Sequence, residues 1–257
     1  MRTAPASRPS VRRRPVQGEL PFRTWGGRRK GAGRKPGPRP LVQHRSREHI
    51  RRPTPVHVTL RVLPHVWNLR TARCAAAIGG ACRAGKERFG FRLVHLSVQG
   101  NHLHLFAEVA DGDALRRGMQ GLSIRIARAL NRVMGRKGKV FAGRFHARRA
   151  ASPREVRVAL RYVLCNAHKH AAEQGRGPAP GWLDRFSTAR YFDGWRGRLA
   201  DPLPDHAIVV TPRLWLVTTG WRRHGLLGTD ESPGAAPSRP WRSLLGIRNT
   251  PSRSPGR

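Results

Sequence analysis

Acidic residues are scarce in this chain: 14 Asp and Glu stand against 51 Lys and Arg in 257 residues, a formal net charge of +37. A solvated globular surface needs nothing of this size, and the balance points to a polyanionic partner, of which nucleic acid is the usual one. A basic membrane-surface protein would need an amphipathic anchor or a lipidation signal, and the sequence has neither. Long apolar runs are missing too, so no membrane span and no secretory leader is expected. There are three cysteines, Cys74, Cys82 and Cys165, without a Cys-x-x-Cys pair. That excludes a disulfide framework or a zinc finger and fits a reducing compartment, the cytoplasm, with the protein on nucleic acid. Tyrosine is nearly absent, with only Tyr162 and Tyr191.

What is present is arranged in blocks. Residues 1–52 hold sixteen Lys or Arg against two acids, with many Pro and Gly, and read as a disordered basic arm able to track phosphates. From Pro53 the texture becomes that of a folded domain, 53–174. "PVHVTLRVL" alternates as a strand, and an Ala- and Arg-rich stretch from about Asn68 to Glu87 reads as a helix. "FRLVHLSV" and "HLHLFAEV" flank a Gln-Gly-Asn turn as a hairpin. Leu115, Met119, Leu122, Ile126, Leu130 and Val133 recur at helical spacing, and "VFAGRFHARRA" suits another strand. Ser152-Pro153-Arg154-Glu155 is a capping box that starts a helix expected to reach Gln174. The order β-α-β-β-α-β-α predicts an α+β fold, a central antiparallel sheet flanked by helices. Beyond it lie a Trp-rich extension, 175–228, expected to pack on the domain or stack on unpaired bases, and a disordered tail, 229–257.

Three features carry chemistry. On the strand "HLHLFAEV", period-two alternation puts His102, His104, Phe106 and Glu108 on one face and the aliphatic residues on the other. The two histidines stand about 7 Å apart at Cα, close enough to share one ion, and imidazole with oxygen ligands suits Mn²⁺, Mg²⁺ or Zn²⁺. Tyr162 falls mid-helix with Asn166 four residues on, and a phenolate attacking a phosphate is one route to strand cleavage that stores the bond energy. Arg117, Arg125, Arg128 and Arg132 line the polar side of the long helix, and with Arg144 and Arg148 form a candidate DNA-backbone track.

Together "GNHLHLF", "GRFHAR" and "LRYVLCNAHKH" resemble, in order and spacing over residues 53–173, the single-tyrosine HUH transposases. Within them the match is to the IS200-like subgroup associated with repetitive extragenic palindromes. The resemblance implies a ferredoxin-like HUH nuclease domain with His102, His104 and Asn166 as ligands of Mg²⁺ or Mn²⁺. It implies Tyr162 as the nucleophile, giving a 5′-phosphotyrosine and a free 3′-hydroxyl on single-stranded DNA beside a hairpin. Both a single chain and a homodimer are compatible with it, and a DNA-bound protein of this kind is expected on the nucleoid.

Two other readings stay open. "HVTL" (His57 to Leu60) and "HLSV" (His95 to Val98) resemble the paired motifs of two-histidine RNA phosphoesterases, which work without a metal. A non-catalytic nucleic-acid-binding protein would need none of these side chains for chemistry.

Overall fold

β-Branched residues at alternate positions make Thr54–Arg61 (β1) a strand, and in the computed structural model it lies next to the centre of a five-stranded sheet. The structure describes residues 49–168, 181–197 and 208–233; the basic arm up to residue 48 and the tail from residue 234 lie outside them. Along the chain follow α1 (Ala72–Gly85), β2 (Glu87–Arg88), β3 (Phe91–Val98), β4 (His102–Val109), α2 (Gly112–Val133), β5 (His146–Arg149) and α3 (Pro153–Leu164). The sheet order is β2-β3-β4-β1-β5, antiparallel throughout. Without the two-residue β2, this is the ferredoxin-like β-α-β-β-α-β order anticipated from the sequence.

The expected helix reaching Glu87 stops at Gly85, because Glu87 and Arg88 pair with Arg92 and Phe91 across a tight turn. Phe89 and Gly90, both at positive φ, form that turn, the geometry two-residue hairpins favour. The strand expected over residues 140–150 shrinks to His146–Arg149, with Phe141 joined to Val62 only by an isolated bridge. Gly143 and its neighbours instead form a bend that carries the chain to the sheet edge.

α1 and α2 cover one face of the sheet. Val56, Val58 and Leu60 of β1, Leu93, Leu96 and Val98 of β3, and Leu103, Leu105 and Ala107 of β4 meet Ile78, Met119, Leu122, Ile126 and Leu130 there. A bulge between Leu93 and His95 changes the alternation of β3, which is how Leu93 and Leu96 reach the same face although three residues apart. Gly118 lets α2 sit this close: a Cβ there would come within 2.3 Å of the Phe91 side chain.

The opposite face is closed as well. α3 lays Val156, Ala159, Leu160 and Val163 on Val94 and Phe106, and the described parts of the extension complete a second core. Trp195 and Trp221 are buried in it, so half of the extension's tryptophans pack on the domain. The extension contributes a short helix, α4 (Trp215–Thr218), and 3₁₀ turns at Ala189–Tyr191 and Gly220–His224. Arg157 ties it to α3, reaching the carbonyls of Gly225 and Leu226 and the Glu231 carboxylate. Glu231 thus fixes a stretch that composition alone assigned to the disordered tail. All three cysteines are buried and unpaired. Burial pushes the thiols of Cys82 and Cys165 up to about 12, so neither is a nucleophile.

Candidate active site

The second face of the sheet carries the polar side chains, in rows fixed by strand register. Arg61 faces His102; Thr59, His104 and Ser97 form the next row; His57, Phe106 and His95 the one after. On the outer strand β5, His146 stands opposite Thr59 and Arg148 opposite His57.

His102 and His104 bring their Nε2 atoms within 2.9 Å of each other. His102 Nδ1 lies 2.7 Å from Asn101 Oδ1, which can only accept, so that nitrogen carries the proton and Nε2 keeps its lone pair. His104 Nδ1 lies 3.2 Å from His57 Nε2 and 3.3 Å from Thr59 Oγ1. His57 is 5 % exposed. Its pKa is lowered to about 4, first by burial and then by the charges of Arg148 and His102, which keeps the ring neutral. A neutral His57 has one donor and one acceptor nitrogen, so with Nε2 as the acceptor it would take the proton on His104 Nδ1 and leave a lone pair on His104 Nε2. The two Nε2 atoms face each other, as they would across a shared proton or a cation.

The separation suits one. Two adjacent ligands about 2.1 Å from an octahedral ion are about 3.0 Å apart. Among the described residues no cluster of three His, Cys, Asp or Glu side chains converges on a metal position. A bound ion would therefore take its remaining ligands from amide, hydroxyl, water or phosphate oxygens. Glu108 is not available to it. That carboxylate, 3 % exposed, accepts the backbone N–H groups of Arg213 and Leu214 and the Nε–H of Arg92. Its place on the histidine face serves to anchor the start of α4.

Tyr162 reaches the site from α3. The helix is held at its start by the reciprocal Ser152–Glu155 capping box. Its amphipathic spacing turns Val156, Leu160 and Val163 inward and sets Tyr162 at the rim, half-buried. The Tyr162 ring packs edge-on against His104 at 5.0 Å and His57 at 5.3 Å between centroids. α3 breaks after Leu164, where Cys165 leaves helical geometry; residues 166–168 are helical again with Asn166 and His168 both buried, and the expected end at Gln174 falls outside the described residues. Residues 169–180 lie outside the described ones. Asn166 Nδ2 has no hydrogen-bond partner among the described residues. Amide nitrogen and oxygen exchange places by a half-turn, so the unmatched position can present an oxygen, the atom a hard cation takes.

Of the arginines singled out in the sequence, Arg148 belongs to this face, 3.9 Å from Glu155. Arg144 is exposed in the bend before β5. Arg117, Arg125, Arg128 and Arg132 are on α2, which covers the other face of the sheet; Arg117 stacks on Phe89 at 4.3 Å, and Arg125 donates to the Gly121 carbonyl. They are not brought to the histidines.

His57 and His95 do share a face, but fully buried Phe106 stands between them in the row. His95 is closed off by Thr188, 3.2 Å from its Nδ1, and by the Phe192 ring, and burial lowers its pKa to about 3. It is a neutral core histidine. His57, by contrast, is a site residue that pattern alone assigned to another chemistry; its register opposite Phe106, one row from His104, was the missing signal.

No family model and no curated protein matches the chain. Among solved structures, a REP-associated tyrosine transposase bound to a REP hairpin is similar at 15% identity and a TM-score of 0.44, over 57% of this chain and 82% of that one. A candidate transposase from Deinococcus radiodurans R1 is similar at 12% identity and a TM-score of 0.34, over 54% of this chain and all of the other. At these values the likeness carries no functional weight.

Proposed function

We propose that the chain is a metal-dependent single-stranded DNA endonuclease and strand transferase of the transposase type, acting beside hairpins through Tyr162. The observation that supports this most is the packing of the Tyr162 ring on His104, whose Nε2 meets that of His102. A nucleophile and a cation-seeking pair of nitrogens thereby share one small patch of surface.

His102 and His104 would hold Mn²⁺ or Mg²⁺ with Asn166 as a third, oxygen ligand; the imidazoles favour Mn²⁺. When bound, the ion would polarise the phosphoryl oxygens of the scissile phosphate. The protein's own groups do the rest. Arg148 adds positive charge on the same face, drawing the DNA backbone in. Asn101 and His57 hold the histidine tautomers. The Tyr162 phenol loses its proton and its oxygen bonds to phosphorus. The bond from phosphorus to the 3′ oxygen breaks, and that oxygen takes a proton. A 5′-phosphotyrosine and a free 3′-hydroxyl result, and the reverse attack rejoins a strand without ATP.

Labelled hairpin DNA with single-stranded flanks, incubated with the protein and Mn²⁺, should give a DNA-linked protein band on denaturing gels. The band should vanish with Tyr162→Phe and with EDTA. Cleavage that persists in Tyr162→Phe would refute the tyrosine mechanism.

A further inference from the structure

The extension leaves an open concavity at the sheet edge, where the start of β1 meets the end of β5. It is lined by Arg52, Pro53, Thr54, Arg149, Ala151, Leu214, Trp215 and Leu216, with no acidic side chain among them. Its apolar wall is built rather than draped: the buried Glu108 carboxylate fixes the backbone of Arg213 and Leu214, and α4 starts directly after them. Gly220 backs the Trp215 ring so closely that a Cβ there would come within 2.7 Å of it. Despite this support the indole is 49 % exposed, whereas Trp221, six residues on, is fully buried. This rigidly held tryptophan carries the Arg223 guanidinium 4.9 Å from its ring centroid and still leaves about half of its surface to solvent. Arg52 and Arg149 are the charged residues of the lining, and the rim at Ala151 adjoins the start of α3, where the Glu155 carboxylate accepts the Ala151 and Ser152 N–H groups.

We infer that this groove binds one unpaired nucleotide of single-stranded DNA, with Trp215 stacking on the base and Arg52 and Arg149 holding a neighbouring phosphate. Charge selects the occupant: a peptide would have to be acidic and aromatic at once, whereas every nucleotide brings an anion and a flat ring together. By strand rise the six residues from His102 to Glu108 span about 20 Å, so the groove engages the strand several nucleotides away from the scissile phosphate. Apart from Thr54 and the two arginines assigned to phosphate, no side-chain donor or acceptor is in the lining, so the contact adds affinity and tolerates sequence. The inference rests on the reading of the ligand as single-stranded DNA, but not on the chemistry at Tyr162.

The test is equilibrium binding of a fluorescent oligothymidylate to the full chain carrying Tyr162→Phe, in EDTA, so that neither cleavage nor metal enters. Trp215→Ala should weaken binding roughly 5- to 100-fold, the loss seen when a stacking aromatic is removed, and Trp215→Phe should recover most of it. Arg52→Ala should weaken binding and lower the slope of log affinity against log salt by about 0.7, one phosphate contact on a single strand. Trp215→Ala should leave that slope unchanged. Circular dichroism melts of each variant separate loss of contact from loss of fold. Affinity within twofold of the parent for both Trp215→Ala and Arg52→Ala overturns the groove and leaves the tyrosine reading standing. A parent that binds no oligothymidylate at all overturns the reading of the ligand itself. Sedimentation that shows self-association lost in Trp215→Ala, with DNA binding intact, assigns the groove to a second copy of the chain and overturns the inference.

Discussion

His57 stands against the inner nitrogen of His104. A metal ligand must offer a lone pair, and imidazole has two nitrogens of which only one can do so when neutral. His57 Nε2 lies 3.2 Å from His104 Nδ1, and where His104 holds its proton on that nitrogen, the Nε2 facing His102 is the one left to ligate. Partners that orient a ligating histidine typically carry 10- to 100-fold in metal affinity. Replacing His57 by Leu should therefore weaken Mn²⁺ binding by about that factor, while His57→Gln, whose amide oxygen can accept the same proton, should retain more. Calorimetric titration of the DNA-free protein reads this directly. Equal affinities in the parent, His57→Leu and His57→Gln would remove His57 from the site, and an absence of Mn²⁺ binding in all three would remove the metal.

At the scale of elements, the histidine face is assembled from a strand, a helix and an extension that composition treats as separate. Glu108 is the joint between strand and extension. Its carboxylate is buried against two backbone N–H groups and Arg92, and removing it strands those donors in a dry place. Glu108→Ala should cost about 3 kcal/mol and release the segment from Arg213 through α4. Hydrogen exchange at Leu214 and Trp215 should speed up while the central amides of β4 stay protected. Unchanged exchange at Leu214 would show that other contacts hold the segment. α3 is the other joint: its capping box was plain in the sequence, but the break at Cys165, before the buried Asn166 and His168, was not.

For the whole molecule, the two faces of the sheet separate two sets of arginines. Arg148 lies with Tyr162; the four on α2 lie behind the opposite face. A strand held at Tyr162 meets the α2 set only by passing around the sheet edge. Replacing Arg128 and Arg132 by Gln should weaken binding of long DNA and flatten its salt dependence, yet leave the single-turnover cleavage rate at saturating DNA unchanged. Arg148→Gln should lower that rate. Equal falls from both replacements would show that the strand crosses the α2 face on its way to the tyrosine.

By itself the sequence determined the ferredoxin-like order of elements, the pairing of His102 with His104 on one strand face, and Tyr162 on a capped helix. Each is local, set by a period of two or of 3.6 residues or by capping within a single turn. The tertiary structure alone decided the rest. Cross-strand register put His57 beside His104 and hid His95 behind Phe106; layer packing put the α2 arginines on the far face; burial made Glu108, on the histidine face, an anchor for the extension. All of these depend on residues tens of positions apart. Pairing register and the choice of face are fixed by the balance of burial over the whole sheet, which no local window contains.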